Sequence, residues 1–149
     1  MIIEDYVSFE IAKLLKEKGF DSDEVGCLGG FYSERCYESG YGITTQNGQE
    51  VGIVYDDLTN SDLEYDEYLR PTLQMAMKWL REVKNLLITV HYSSLLYSTA
   101  PFYWDIEKME CNRRASLSVA TSTAMRDYTY HTYEEACEGS IKYCLENLI

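Results

Sequence analysis

Apolar and polar positions along the chain follow two periods, and each change of period marks the end of an element. In "SFEIAKLLKEKGF", Ile11, Leu14 and Leu15 recur at helical spacing, with Phe9 and Phe20 at the ends. Ser8 suits the free N–H groups of a helix start, Glu10 its positive end, and Lys16 and Lys18 its negative end. A helix is predicted from Ser8 to Lys18, with Gly19 as a left-handed terminator.

Residues 37–55 read as a β-hairpin around "QNGQ", because Asn-Gly tolerates the positive φ that tight hairpin turns need. A two-residue turn at Asn47-Gly48 pairs Ile43 with Gly52 and Thr45 with Glu50. It leaves Val51, Ile53 and Tyr55 on the face opposite Tyr41 and Ile43. A loop longer by one residue pairs Ile43 with Ile53 and Tyr41 with Tyr55, gathering the apolar groups on one face. Register follows the buried face, so the odd loop or a bulge is expected. "DDLTNSDLEYDEYLR" comes next and is predicted to be an exposed loop with a short helical turn.

"PTLQMAMKWLREVK" is predicted as a second helix, with Pro71 in its first turn and Asn85 at its end. Leu73, Met75, Ala76, Met77, Trp79, Leu80 and Val83 cover an arc of roughly 200°, wider than the stripe of an ordinary surface helix. Such a helix is expected to sit centrally. Its tryptophan and methionines then serve packing.

Beyond it, Ile88, Val90 and Tyr92 alternate with Thr89, His91 and Ser93. Phe102, Trp104 and Ile106 alternate with Tyr103, Asp105 and Glu107. These stretches predict an antiparallel pair, and "ASLSVATS" a third strand with Leu117 and Val119 inward. The chain ends in "YHTYEEACEGSIKYCLENLI", a helix opened by a Thr132–Glu135 capping box. Its buried side is expected to be Tyr133, Ala136, Cys137, Ile141, Cys144, Leu145 and Leu148. Gly139, mid-helix, costs on the order of 1 kcal/mol against alanine and implies close packing on a neighbour. The order α-ββ-α-ββ(β)-α predicts an α+β fold: one domain over 1–149, an antiparallel sheet of hairpin-connected strands with about three helices.

The 149 residues are 46% hydrophobic, enough for a core without metal or disulfide staples. "MIIEDYVSFE" lacks a basic and apolar leader pattern, and no apolar run reaches membrane-spanning length, so a soluble cytoplasmic protein is expected. Cys27, Cys36, Cys111, Cys137 and Cys144 then read as reduced thiols. Spacings of nine between the first two and seven between the last two do not fit a zinc site. A net charge of −12, with Arg113-Arg114 as the nearest basic cluster, disfavours nucleic acid and anionic membrane but not a basic protein partner.

Chemistry is sparse. His91 shares its strand face with Thr89 and Ser93, and His131 is expected half-buried against the last helix. Both read first as structural. "GCLGGF" lacks the spacing and lysine of a phosphate loop. Twelve-position calcium loops counted from Asp21 and Asp57 end at Tyr32 and Tyr68, where a bidentate glutamate is required. Asp105 and Glu107 share a strand face, as any solvent-facing alternation produces. No cofactor or metal is expected. Fourteen tyrosines stand out, since tyrosine gives large contact area at low entropic cost in binding surfaces.

Three stretches together, "SFEIAKLLKEKGF", "RPTLQMAMKWLREV" and "YHTYEEACEGSIKYCLENLI", resemble a group of small uncharacterised proteins encoded by phages and prophage-like elements of gut Bacteroides. The resemblance covers about a third of the chain. It implies a mobile-element-linked cytoplasmic protein of this α+β layout, and no chemistry.

The expectation is a small acidic, non-enzymatic interaction factor. It would bind an unidentified protein through Asp56, Asp57, Asp62, Glu64, Tyr65, Asp66, Glu67 and Tyr68. In the sharper version this surface imitates the charge of DNA and occupies a basic groove. The alternative is a small hydrolase or transferase whose site assembles from His91, Cys111 and the Asp105/Glu107 pair. A third is an oligomeric structural subunit.

Overall fold

The structure, a computed structural model of the chain, describes residues 5–21, 31–33, 42–44, 50–52, 60–93, 99–110, 117–124 and 129–149. It is an α+β fold, with three α-helices and two antiparallel sheets among these residues. Its contacts gather into two compact units, 1–76 and 77–149.

In the first unit, helix α1 (Phe9–Glu17) starts where the Ser8 hydroxyl oxygen accepts from the Ile11 N–H at 3.4 Å. It ends in a Schellman motif. Phe20 N–H donates to Leu15 O (2.9 Å), Gly19 N–H donates to Lys16 O (3.1 Å), and Gly19 sits at φ +88°. Both ends lie as the sequence predicts. Ile11, Ala12 and Leu15 are buried.

Strands β1 (Phe31–Ser33), β2 (Gly42–Thr44), β3 (Glu50–Gly52) and β4 (Glu67–Leu69) form a sheet in the order β2-β3-β1-β4. β2 and β3 are the expected hairpin: Thr44 opposes Glu50, so an odd number of residues separates the paired ends, as expected, but the register is shifted by two, with Ile43 opposite Val51 and not Ile53. The reason is that β3 also pairs with β1 on its other edge, Tyr32 opposite Val51, so the Asn-Gly turn is not its only constraint. Tyr37, Tyr41, Asn47, Gly48, Ile53 and Tyr55 lie outside the described residues.

β4 corrects the prediction for the acidic stretch. A 3-10 turn does occur at Asn60–Asp62, but Glu67–Leu69 is a strand paired with β1. Asp66 and Glu67 are buried, at 4% and 7% exposure. The edge-to-face contacts of Phe9 with Tyr68 (5.6 Å) and Tyr32 (5.7 Å) bring α1 onto these strands. The Tyr32 hydroxyl donates to Val7 O at 2.6 Å.

Helix α2 (Leu73–Lys84) is capped by Thr72, whose hydroxyl accepts from Met75 N–H at 3.2 Å. Pro71 therefore precedes the cap instead of entering the first turn. It is held there because its carbonyl accepts from Val7 N–H, and Asp5 O accepts from Leu73 N–H, each at 3.0 Å. Leu73, Ala76, Trp79 and Leu80 are buried, Met75 and Met77 half-buried, and Val83 exposed. The buried arc is roughly 120° at about 100° per residue, narrower than expected. Asn85 ends the helix with φ 57°.

In the second unit, β5 (Leu86–Tyr92), β6 (Phe102–Lys108) and β7 (Leu117–Thr121) form a sheet in that order. Ile88 faces Ile106, Val90 faces Trp104 and Tyr92 faces Phe102, so the two alternating apolar sets share one face of an antiparallel pair, as predicted. β7 departs from expectation, since Leu117 and Val119 are 55% and 41% exposed. The register explains it: Ala120, not Val119, opposes buried Ile106, so Val119 falls on the other face, and Leu117, beyond the bulge, pairs with exposed Lys108 at the end of the strand.

Helix α3 (Tyr133–Tyr143) is capped as predicted by Thr132, whose hydroxyl accepts from Glu135 N–H at 3.1 Å. The reciprocal arm of the capping box reaches one residue further, from His131 N–H to Glu135 Oε2 at 3.2 Å. The helix continues as a π-helical turn, Cys144–Leu148. Ala136, Cys137, Ser140, Ile141, Cys144 and Leu145 are buried, whereas Tyr133 is 38% exposed. Tyr133 lies in the first turn, with its ring edge-on to Phe102 instead of in the core.

Candidate functional site

The strongest candidate grows from residues 64–67. Glu67 N–H donates to Glu64 O at 3.1 Å and closes a tight turn. The Lys16 ammonium, carried on α1, donates to both Glu67 O (2.8 Å) and Glu64 O (3.2 Å). Lys16 also lies 5.2 Å from the Tyr68 ring centroid. A cation thus fastens the two ends of the turn. At its tip Tyr65 is 84% exposed, and Glu64 beside it is exposed.

Of the eight residues expected on this surface, Glu64 and Tyr65 are exposed and Tyr68 is half-buried beneath Phe9. Asp66 and Glu67 are buried and drop out of it. Asp56 and Asp57 lie outside the described residues, as does the Asp62 side chain. Lys16 was not foreseen in this setting: it reads as a helix-end charge, and its partners lie 48 and 51 residues away. No local signal announces that contact.

The second candidate lies on the sheet of the 77–149 unit. His91 Nε2 and Asp105 Oδ2 are 2.9 Å apart, each side chain about one-third exposed, and the imidazole stacks on Tyr103 at 4.8 Å. Thr89 and Thr121 oppose Asp105 on the neighbouring strands. The structure therefore brings His91 and Asp105 together, with Glu107 two residues further along the same strand. Cys111 lies outside the described residues. A carboxylate-oriented imidazole is part of a proton-transfer site, and a reacting group must still be supplied.

His131 is exposed, not half-buried as expected, and its Nδ1 is in hydrogen-bond contact with Thr99 O. Cys137 and Cys144 are free and buried, and burial pushes the thiols up to about 11 and about 12, respectively. They are core groups. Cys27, Cys36, Arg113 and the 26–30 glycine run lie outside the described residues. Among the described residues, no group of three or more His, Cys, Asp or Glu could hold a metal ion, and no helix is long and apolar enough to cross a membrane.

Comparison with protein-family models, with curated proteins and with solved structures found no match.

Proposed function

We propose that this chain is a non-enzymatic interaction factor that binds a protein partner through the Tyr65 turn. The observation that carries the reading is a tyrosine 84% exposed on a turn whose two ends are fixed by one lysine. A tyrosine on a fixed backbone turn has few rotamers to lose on binding and supplies the large contact area of an interface anchor. The net charge of −12 and exposed Glu64 favour a partner with a basic surface. Burial of Asp66 and Glu67 weakens the DNA-imitating version, which needs a continuous row of carboxylates. The resemblance to mobile-element proteins supports an accessory role in such an element.

The test is affinity capture of the tagged protein from Bacteroides lysate under reducing conditions, beside a Tyr65→Ala, Glu64→Lys control. A partner retained by the native chain, lost in the control and bound more tightly at low salt supports the reading. A partner retained equally by both chains rejects this surface.

The 2.9 Å contact between His91 and Asp105 favours a second reading, a small hydrolase or transferase. A hydrolytic activity on generic ester or phosphate substrates that vanishes in His91→Ala would establish it, and an activity unchanged in that variant would remove it.

A further inference from the structure

Within the 77–149 unit, a cleft of about 440 Å³ opens beside the last helix, within the size range of small-molecule sites. Its wall is aromatic. The half-buried rings of Tyr130 and Tyr143 present it; Trp104, buried behind them, donates its indole N–H to the Tyr130 hydroxyl at 3.1 Å, and the Tyr143 ring lies 5.1 Å from its own. Gly139 lets Tyr130 lie against the helix, since a Cβ there would come within 2.7 Å of its Cζ. The rim carries both signs of charge, Lys142 Nζ and Glu146 Oε1 being 3.9 Å apart. Glu146 belongs to the π-helical turn, a local widening of the helix that recurs at functional sites.

We infer that this cleft binds a free aromatic amino acid. Aromatic walls take a flat ring by offset or edge-on stacking. A ligand of one charge sign meets a like charge on this rim, whereas a zwitterion places its carboxylate at Lys142 and its ammonium at Glu146. The phosphates of a nucleotide are disfavoured by Glu146 and by the net charge of −12. This inference is independent of the Tyr65 surface.

The chain's two tryptophans make the test direct, because Trp104 lines the cleft and Trp79 does not. L-tryptophan, titrated to the roughly millimolar range usual for so small a ligand, is followed by the indole N–H resonances of ¹⁵N-labelled protein. The Trp104 resonance shifts and saturates while that of Trp79 stays in place. Indole and adenosine monophosphate bind at least about tenfold more weakly, the loss expected for missing or mismatched charge contacts. A Lys142→Met, Glu146→Gln variant, altered only at half-exposed rim positions, weakens L-tryptophan binding by about the same factor. An unmoved Trp104 resonance overturns the inference, as does indole or nucleotide binding as tight as that of tryptophan. So does binding unchanged in the rim variant.

Discussion

The Tyr130 phenol occupies the space where a side chain at position 139 would begin: a Cβ on Gly139 would lie 2.7 Å from Tyr130 Cζ and 2.8 Å from Cε1. Tyr130 cannot easily retreat. Its hydroxyl accepts from the Trp104 indole, and its backbone exchanges two hydrogen bonds with Phe102, at 2.9 and 3.1 Å. Helix propensity alone favours alanine over glycine by ~1 kcal/mol, but the overlap and the strained hydrogen bond cost ~2–4 kcal/mol. Gly139→Ala is therefore destabilising by about 1–3 kcal/mol in urea unfolding. In a Tyr130→Ala background the same change becomes stabilising by up to ~1 kcal/mol, because only propensity remains. A Gly139→Ala effect of the same sign in both backgrounds would show that Tyr130 is not the cause.

Asn85 joins α2 to β5 at φ 57°, a left-handed conformation that asparagine tolerates and β-branched residues resist. Its carbonyl accepts from Met109 N–H at 2.8 Å, so the backbone cannot relax without losing that bond. Asn85→Val is expected to lower stability by ~1–2 kcal/mol, while Asn85→Gly stays within ~0.5 kcal/mol of the native chain. Equal losses for both variants in denaturant melts would instead assign the effect to the asparagine side chain.

What was legible in the sequence was local. Ser8, Gly19 and Thr132 mark helix ends through bonds to residues a few positions away, Asn85 through its left-handed backbone, and all four stand where expected. The seven-residue alternation of β5 and β6 is long enough to declare its buried face. Three-residue strands such as β1 and β4 are too short to show a period, so Glu67 reads with the charged loop although it is buried. Leu117 and Val119 are exposed because β7 sets Ala120 against Ile106, and a five-residue strand with a small residue at its inward position does not declare that face. At the candidate sites, exposed Tyr65 could be suspected from residue type. The Lys16 contacts and the His91–Asp105 contact could not, since both depend on non-local packing or on a strand register that alternation leaves open in steps of two.

If Lys16 holds the Tyr65 turn, removing its ammonium while keeping most of its alkyl stem loosens the turn and spares the helix. Lys16→Met deletes the donors to Glu64 O and Glu67 O, a loss of ~1 kcal/mol once partial exposure is allowed for. The Glu67 amide, bonded to Glu64 O, then exchanges with solvent up to about tenfold faster, while amides at the centre of α1 keep their protection. Exchange at Glu67 unchanged from the native chain would mean that the turn is held by other contacts.

The buried thiols set an alkaline limit on stability. Cys137 and Cys144 ionise near 9.0 in the unfolded chain, and burial raises them to about 11 and about 12 in the folded one. The unfolded state thus loses these protons first as pH rises. The contribution is fully present below pH 9.0, and it is lost progressively as pH rises toward the folded values of about 11 and about 12. The decline reaches at most ~1.4 kcal/mol per pH unit for each thiol. Urea unfolding from pH 8 upward, compared with a Cys137→Ala, Cys144→Ala variant, isolates this slope from tyrosine and lysine titration. The variant is less stable at pH 8 because of the cavities, yet its stability falls less steeply at high pH. Thiol labelling of the native chain at pH 8, mapped by peptide because three further cysteines are present, leaves Cys137 and Cys144 unmodified until denaturant is added. Parallel pH profiles for the two chains, or prompt labelling of either thiol in the native state, would show that burial does not hold them protonated.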